Sequence, residues 1–159
     1  MKNHQFLINE ISKLKEYDFL LKIVGSGILQ DSLKKQVSLL KLDHKIEFLG
    51  SRDDVPLLLS QSDCLLLPSL WEAFPIVLLE AAASNIPVVT TPVGSISSFV
   101  DNECGYVTKL ENFRSSMLEV MNNPEDAKIR SSKLYKKISS QYHIANIVKQ
   151  YESVYHKII

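Results

Sequence analysis

Short apolar runs alternate along the chain with longer segments in which apolar residues recur at helical spacing. The apolar runs are bounded by turn residues and predict strands at 19–24, 46–49, 64–67, 87–90 and 105–108. Between them the spacing predicts helices at 4–16, 28–42, 55–61, 76–84 and 95–100. In the second helix the apolar stripe is formed by Leu29, Leu33, Val37 and Leu40. This alternation is typical of an α/β domain with a parallel sheet and helices on both faces.

The two ends of the chain depart from this alternation. The chain opens on a predicted helix, whereas a doubly wound domain normally opens on a strand, so we expect an N-terminal strand of the fold to be missing. From about Glu111 onward the sequence is charged and amphipathic, which predicts a helical tail. There is no repeat or linker, so 1–159 is interpreted as a single domain. Asn85 is expected to close the helix before it in the left-handed conformation.

Composition limits the possible partners. Lysine plus arginine and aspartate plus glutamate both number 18, so no overall field attracts nucleic acid, and a charged ligand requires a local site. No apolar run approaches the length that spans a bilayer, and the N-terminus lacks the apolar stretch of a signal peptide. We therefore expect a soluble, cytoplasmic protein.

The cysteines and histidines give no pattern of a disulfide framework or metal site. Cys64 and Cys104 are too few for a framework, and Cys64 lies in an apolar run, where we expect a reduced, buried thiol. The histidines are scattered without ligand spacing, so no metal is expected; they are His4, His44, His143 and His156.

The loops that follow the strands are the places to look for chemistry, because ligands of open parallel sheets bind outside the carboxyl ends of the strands. Gly25-Ser26-Gly27 follows the first strand, and its glycines allow backbone amides to approach a bound phosphate. A dinucleotide fingerprint would need a small residue in place of Gln30, and a purely structural turn remains an alternative. After the second strand, Asp53 or Asp54 is suited to cap a helix. Arg52 either stacks on a base or stays solvated.

The loop after the third strand is the most distinctive. Pro75 suits the first position of a helix whose free amides and positive dipole end favour a diphosphate. Glu72 precedes that helix and Glu80 lies within its second turn. A carboxylate accepts two hydrogen bonds at once, which suits the vicinal hydroxyls of a ribose or hexose, although ordinary surface carboxylates are the alternative. The loop after the fourth strand, 91–95, offers further polar contacts at the same edge.

This stretch resembles a known family. Glu72 and Glu80 stand in the pattern Pro-Ser-x-x-Glu-x-Phe-x-x-x-Leu-x-Glu-Ala, which is similar to the signature of group-1 (family 4) retaining glycosyltransferases. Further landmarks follow in the family's order, and the resemblance covers roughly 2–108: Val24-Gly25-Ser26-Gly27, Phe48-Leu49-Gly50, Ser62-Asp63, Pro68-Ser69, Pro87-Val88-Val89 and Gly105-Tyr106-Val107.

The resemblance implies a fold and a set of roles. The chain would be the Rossmann-like C-terminal half of a GT-B glycosyltransferase, with the N-terminal acceptor domain absent. Lys2 resembles the lysine that neutralises the pyrophosphate and is the predicted main electrostatic catalyst, with Glu72 near the donor sugar. Glu80 resembles the glutamate that binds the ribose. The resemblance also places Ser51 and Arg52 beside the base, and the backbone amides of Phe74, Ile76 and Val77 beside the diphosphate and sugar. Gly25 and Gly27 complete the predicted donor-binding residues.

The implied reaction transfers a hexose from a nucleoside-diphosphate sugar, such as a UDP-sugar, to a saccharide or lipid-linked acceptor with retention, in bacterial surface-polysaccharide assembly. No cofactor or metal is implied, since the nucleotide-sugar is a substrate. The resemblance also implies peripheral membrane association of the full-length protein. We expect the isolated chain to be inactive, because the family's partner arginine lies on a strand that this chain lacks. Ala73, Pro75 and Asn85 replace glycines that are common in the family.

Two other classes of function stay open. A non-catalytic nucleotide-binding module would share every donor-side feature, and non-hydrolysing sugar-nucleotide epimerases resemble the same architecture. A response-regulator receiver is excluded, because it needs acids after the first strand and an aspartate after the third. Those positions hold Gly25-Ser26-Gly27 and Pro68-Ser69.

Overall fold

The computed structural model describes residues 2–158 and contains parallel strands joined by helices. The strands are β1 (Leu21–Val24), β2 (Ile46–Gly50), β3 (Leu65–Leu67), β4 (Val88–Thr90) and β5 (Tyr106–Val107). The helices that alternate with them are α1 (His4–Ile11), α2 (Gln30–Leu39), α3 (Val55–Ser60), α4 (Ile76–Ala83) and α5 (Ile96–Phe99). A 3-10 turn (Leu110–Asn112) then leads into α6 (Phe113–Asn122), α7 (Pro124–Gln141) and α8 (Ile144–Ile158). The predicted α/β class, the Rossmann-like parallel arrangement and the helical tail are confirmed.

The strands form two hydrogen-bonded groups, and every pair within them is parallel. β1 pairs with β2, with Leu21 opposite Ile46 and an irregularity between Ile23 and Val24. β4 lies between β3 and β5 in the second group. Parallel pairing places the carboxyl ends of neighbouring strands at the same edge, which brings the loop after β1 beside the end of β2 and the loop after β3 beside the loop after β4.

Alternate side chains of the strands enter two different cores. Val89 packs in a cluster with the buried faces of α1, α2 and α6, while its neighbour Val88 packs in a second cluster with α4, α5 and α7. In β3, Leu66 packs in the first cluster and Leu67 in the second. Both faces of β3 and β4 are therefore covered, which explains why these strands are continuous apolar runs instead of alternating ones.

Two predicted helices differ from the observed ones. α1 ends at Ile11, where the spacing predicted a helix to 16. The amides of Lys13 and Leu14 bond to carbonyl oxygens only three residues back, which ends the α-helical pattern and leaves Leu14 buried beyond the helix. α2 begins at Gln30 and not at 28, and Leu29, predicted to lie on its apolar stripe, is 57% exposed. The left-handed Asn85 (φ 54°) is confirmed.

The C-terminal helices differ in how much they bury. α7 packs against α4 through Leu134 and Ile138, whereas α8 leaves Ile144, Tyr151 and Tyr155 exposed. Among the helices described between residues 2 and 158, none is long and apolar enough to cross a bilayer.

Candidate functional site

A cluster of polar side chains lies in the loop after β3, around Glu72. Its central contact joins Glu72 to Lys2, 70 positions earlier in the sequence. The Lys2 ammonium donates to Glu72 Oε1 at 2.6 Å. The Glu72 side chain is 10% exposed, whereas that of Lys2 is 48% exposed. The carboxylate is thus held in the interior of the site, and the ammonium is accessible to a ligand from solvent. The two residues predicted to be catalytic are in direct contact.

Glu72 Oε1 also accepts a hydrogen bond from Ser69 Oγ at 2.6 Å. Ser69 is fully buried, and its carbonyl oxygen accepts a 2.6 Å hydrogen bond from Thr91 Oγ1 in the loop after β4. Ser95, from the same loop, donates through Oγ to the carbonyl oxygen of Ala73 at 2.5 Å. Two hydroxyls of the β4 loop therefore fix the segment on both sides of Glu72.

Gly94 completes this contact between the two loops. Its φ is +58°, in the left-handed region, and a Cβ added there would stand 1.6 Å from the carbonyl oxygen of Glu72. Glycine is required here both for the backbone conformation and for the close approach of the two chains.

α4 begins beside this cluster. Pro75 was predicted to be the first helical residue, but it is the N-cap, and it offers no side-chain cap. The amides of Phe74, Ile76 and Val77, predicted to meet the donor, donate to no other group in the described part of the chain. Ile76 and Phe74 are exposed, so a ligand has access to this end of the helix. Free amides at a helix start favour an anionic group such as a diphosphate.

Glu80 follows one turn into α4, on the same helix. Its side chain is half-buried and makes no hydrogen bond or ion pair with another described residue. Ala81 and Ala82 beside it are fully buried and let α4 pack closely on its neighbours. The Glu80 carboxylate therefore remains available for a ligand.

The loop after β1 is joined to the end of β2. Gly25 adopts φ +117°, and its amide donates to the carbonyl oxygen of Gly50 at 2.7 Å. A Cβ on Gly25 or Gly27 would meet no atom within 4 Å, so open space lies beside this loop. The turn is thus exposed and held in place by backbone hydrogen bonds.

Ser51 and Arg52 are exposed at the end of β2. Arg52 forms a bidentate pair with Asp54, through Nε to Oδ1 at 2.8 Å and through a terminal nitrogen to Oδ2 at 2.6 Å. This hydrogen bonding raises the pKa of Arg52 and lowers that of Asp54. Asp54 occupies the N-cap of α3 but makes no side-chain cap, because its carboxylate is taken by the guanidinium.

Two observations describe other ionisable groups. Burial, with the positive charge of Lys2 as a second cause, lowers the pKa of His4, which favours a neutral imidazole beside the lysine. Within residues 2–158, no group of three or more histidine, cysteine or acidic side chains is arranged to hold a metal ion.

The geometry brings together Lys2, Glu72 and the start of α4, and it adds contacts that the sequence analysis did not predict. Ser69 and Thr91 hold Glu72 in place, and Gly94 lets their loops meet. A serine three positions before a glutamate in the same loop is the one sequence feature that pointed to the first of these contacts.

Known proteins resemble this chain along its length. Residues 1–140 match the family described as glycosyl transferases group 1. The N-acetyl-alpha-D-glucosaminyl L-malate synthase of Bacillus anthracis is 28% identical over 164 residues, which cover 100% of this chain and 43% of that protein. The UDP-Gal:alpha-D-GlcNAc-diphosphoundecaprenol alpha-1,3-galactosyltransferase of Escherichia coli is 30% identical over 142 residues, covering 87% of this chain and 37% of that protein.

A solved structure has the same fold. The crystal structure of Anabaena HepE in complex with UDP and glucose superposes with a TM-score of 0.90 at 22% identity, covering 98% of this chain and 45% of that one. The chain therefore spans less than half the length of each of these three relatives. With the family match extending over most of its residues, the chain belongs to the glycosyl transferases group 1.

Proposed function

We propose that this chain binds a nucleoside-diphosphate sugar and is the donor-binding domain of a retaining hexosyltransferase. The observation that carries the proposal is the contact of the Lys2 ammonium with buried Glu72, next to the free amides that open α4. An ammonium and a row of free amides are the groups that bind a diphosphate without a metal ion.

In this proposal each group has one task. Lys2 and the amides of Phe74, Ile76 and Val77 bind the diphosphate, and Lys2 stabilises the negative charge that grows on it as the sugar leaves. Glu72 accepts hydrogen bonds from the donor sugar. Glu80 accepts hydrogen bonds from the ribose hydroxyls, since its carboxylate has no hydrogen-bond or ion-pair partner among the residues that the structure describes.

The loops after β1 and β2 receive the rest of the donor. Gly25 and Gly27 allow the donor to approach the backbone, while Ser51 and Arg52 lie beside the base. Asp54 fixes the plane of the Arg52 guanidinium through its bidentate pair, which orients a flat surface for stacking. No cofactor is part of the proposal.

The acceptor is proposed to bind an N-terminal domain of the parent protein, because the relatives are more than twice as long as this chain. A saccharide or lipid-linked acceptor is supported by the Escherichia coli relative, whose name states a diphosphoundecaprenol-linked acceptor. With a lipid-linked acceptor, the full-length protein would work at a membrane surface, and we place it on the cytoplasmic side in this proposal. Without the acceptor domain, the 159-residue chain is expected to bind donor but not to transfer sugar.

Calorimetric titration of the chain with UDP, GDP and ADP tests donor binding. We expect one nucleotide to bind best and Glu80→Ala to weaken its binding by about a hundredfold, because two hydrogen bonds to a charged group are lost, each worth about tenfold. Glu152→Ala, an exposed glutamate of α8, is the matched control and should change nothing. Equal binding by Glu80→Ala and the unchanged chain would contradict the assignment of Glu80.

A further inference from the structure

The carboxylate of Glu72 is held by two groups of different kinds. Oε1 accepts from Lys2 Nζ and from Ser69 Oγ, each at 2.6 Å. Lys2 is a long side chain that is half exposed, whereas Ser69 is 1% exposed and short. Only the serine is therefore fixed by its surroundings.

The surroundings of Ser69 hold it from the backbone side. Its carbonyl oxygen accepts the 2.6 Å hydrogen bond from Thr91 Oγ1, and Thr91 is itself 2% exposed. A serine hydroxyl donates one hydrogen, and this hydrogen is directed at Glu72. The only hydrogen of the hydroxyl is therefore committed to the Glu72 carboxylate.

The two hydrogen bonds to Glu72 Oε1 respond differently when a nucleotide-sugar donor binds. If Lys2 binds the diphosphate, as the proposed function states, its ammonium is shared with or transferred to a second anion. Glu72 would then be left without its exposed partner at the moment when it must face the sugar. Ser69 remains in place, because no part of it is accessible to the donor.

We propose that Ser69 is the positioning residue of Glu72, which holds Oε1 and leaves Oε2 to accept a hydroxyl of the donor sugar while Lys2 moves onto the diphosphate. This inference rests on the proposed function and deepens it. Ser69 acts through Glu72 and makes no contact with the donor itself. Thr91 supports the same arrangement from the neighbouring loop.

The test compares UDP with UDP-glucose by calorimetry on the chain, since the ratio of their affinities isolates contacts to the sugar. Ser69→Ala should leave the UDP affinity within about twofold and lower the UDP-glucose affinity about tenfold, as expected for loss of a hydrogen bond to a charged group. Ser60→Ala, at an exposed serine in α3, is the matched control and should change neither affinity.

A double-mutant cycle separates positioning from a general structural effect. In a Glu72→Gln background, Ser69→Ala should produce no further loss, because the group that Ser69 positions is already altered. The inference would be overturned if Ser69→Ala still lowered the UDP-glucose affinity in the Glu72→Gln background. It would also be overturned if Ser69→Ala lowered the UDP affinity as much as the UDP-glucose affinity. An unchanged affinity ratio in Ser69→Ala, when Glu72→Gln lowers that ratio, would overturn it as well.

Failure of the proposed function gives a different result. The chain and its Glu80→Ala variant would then bind UDP equally poorly, and Glu72→Gln would leave the UDP-glucose to UDP ratio unchanged. If Ser69→Ala does not fold, Thr91→Val removes the hydrogen bond behind Ser69 at nearly constant volume. We expect Thr91→Val to lower the UDP-glucose affinity relative to the UDP affinity, by less than Ser69→Ala does. An unchanged ratio of the two affinities would overturn the inference.

Discussion

The backbone of Glu72 passes so close to Gly94 that the carbonyl oxygen of Glu72 would lie 1.6 Å from a Cβ at position 94. This contact joins the loop after β3 to the loop after β4 and fixes the backbone from which the buried Glu72 carboxylate projects.

Gly94→Ala is therefore expected to be strongly destabilising. The left-handed backbone costs about 1–2 kcal/mol for alanine, and the forced separation of the two loops adds about 1–3 kcal/mol. Urea unfolding should show a loss of about 2–5 kcal/mol in the free energy of unfolding. Gly50→Ala is the matched control, because Gly50 has a similar φ of +67° and no atom within 4 Å of the added Cβ. Equal losses for the two variants would show that the contact with Glu72 contributes nothing.

Lys2→Met should weaken binding of UDP by about tenfold, because the diphosphate loses a charge-assisted hydrogen bond. The effect should decrease as salt is added, since the ammonium is half exposed and screened by ions. Lys35→Met, on the exposed surface of α2, removes the same charge from a lysine that forms no ion pair with Glu72, and it is the control. Calorimetry at two salt concentrations measures both variants, and equal losses would mean that net charge alone is responsible.

The parallel strands and the positions of most helices followed from the sequence because they depend on local spacing and on turn residues. Glu72 and Lys2 followed from resemblance, since nothing in the spacing of residues 70 positions apart predicts their contact. The Ser69–Thr91 bond was not predictable either, because it depends on the register of β3 against β4, which local spacing does not determine. The start of α2 was predicted too early because apolar residues 28 and 29 fit the helical spacing but are exposed in the loop.

Asp101 gives a prediction for acid pH. The Lys137 ammonium, 2.9 Å away, is the main cause that lowers the pKa of Asp101 from 3.8 to about 2, with support from hydrogen bonds of Cys104 and Glu103. A lowered pKa in the folded state stabilises the protein above the ordinary value of 3.8, and this contribution is lost as the pH falls through about 2.

Asp101→Asn should therefore lower the free energy of unfolding near neutral pH, by no more than about 1 kcal/mol because the carboxylate is half exposed. The difference between variant and parent should shrink as the pH falls from about 4 to about 2. Urea unfolding across this range measures it, with Asp18→Asn, an exposed aspartate outside the pair, as the control. A difference that stays constant with pH would contradict the role of the charge.

Tyr142, between α7 and α8, ties the C-terminal helices to the site. Its ring lies 6.0 Å from that of Phe74 and 6.2 Å from that of Phe99, and the rings of Phe74 and Phe99 are 5.5 Å apart. Phe74 is two residues after Glu72, so the packing of the tail bears directly on the loop that carries the carboxylate. Aromatic pairs of this kind contribute about 0.5–1.5 kcal/mol each beyond the area they bury.

Tyr142→Ala should accordingly lower the free energy of unfolding by about 2–4 kcal/mol, since two ring contacts and part of the buried area are lost. Tyr142→Phe keeps the ring and should be close to the parent, which distinguishes ring packing from the hydroxyl. Tyr135→Ala, on the exposed side of α7 without a ring neighbour within residues 2–158, is the control for loss of a tyrosine. Because the Phe74 amide is a proposed diphosphate ligand, Tyr142→Ala should also weaken UDP binding severalfold under conditions where the variant is folded. Unchanged UDP affinity in a destabilised Tyr142→Ala variant would show that the Tyr142–Phe74 contact stabilises the fold without affecting UDP binding.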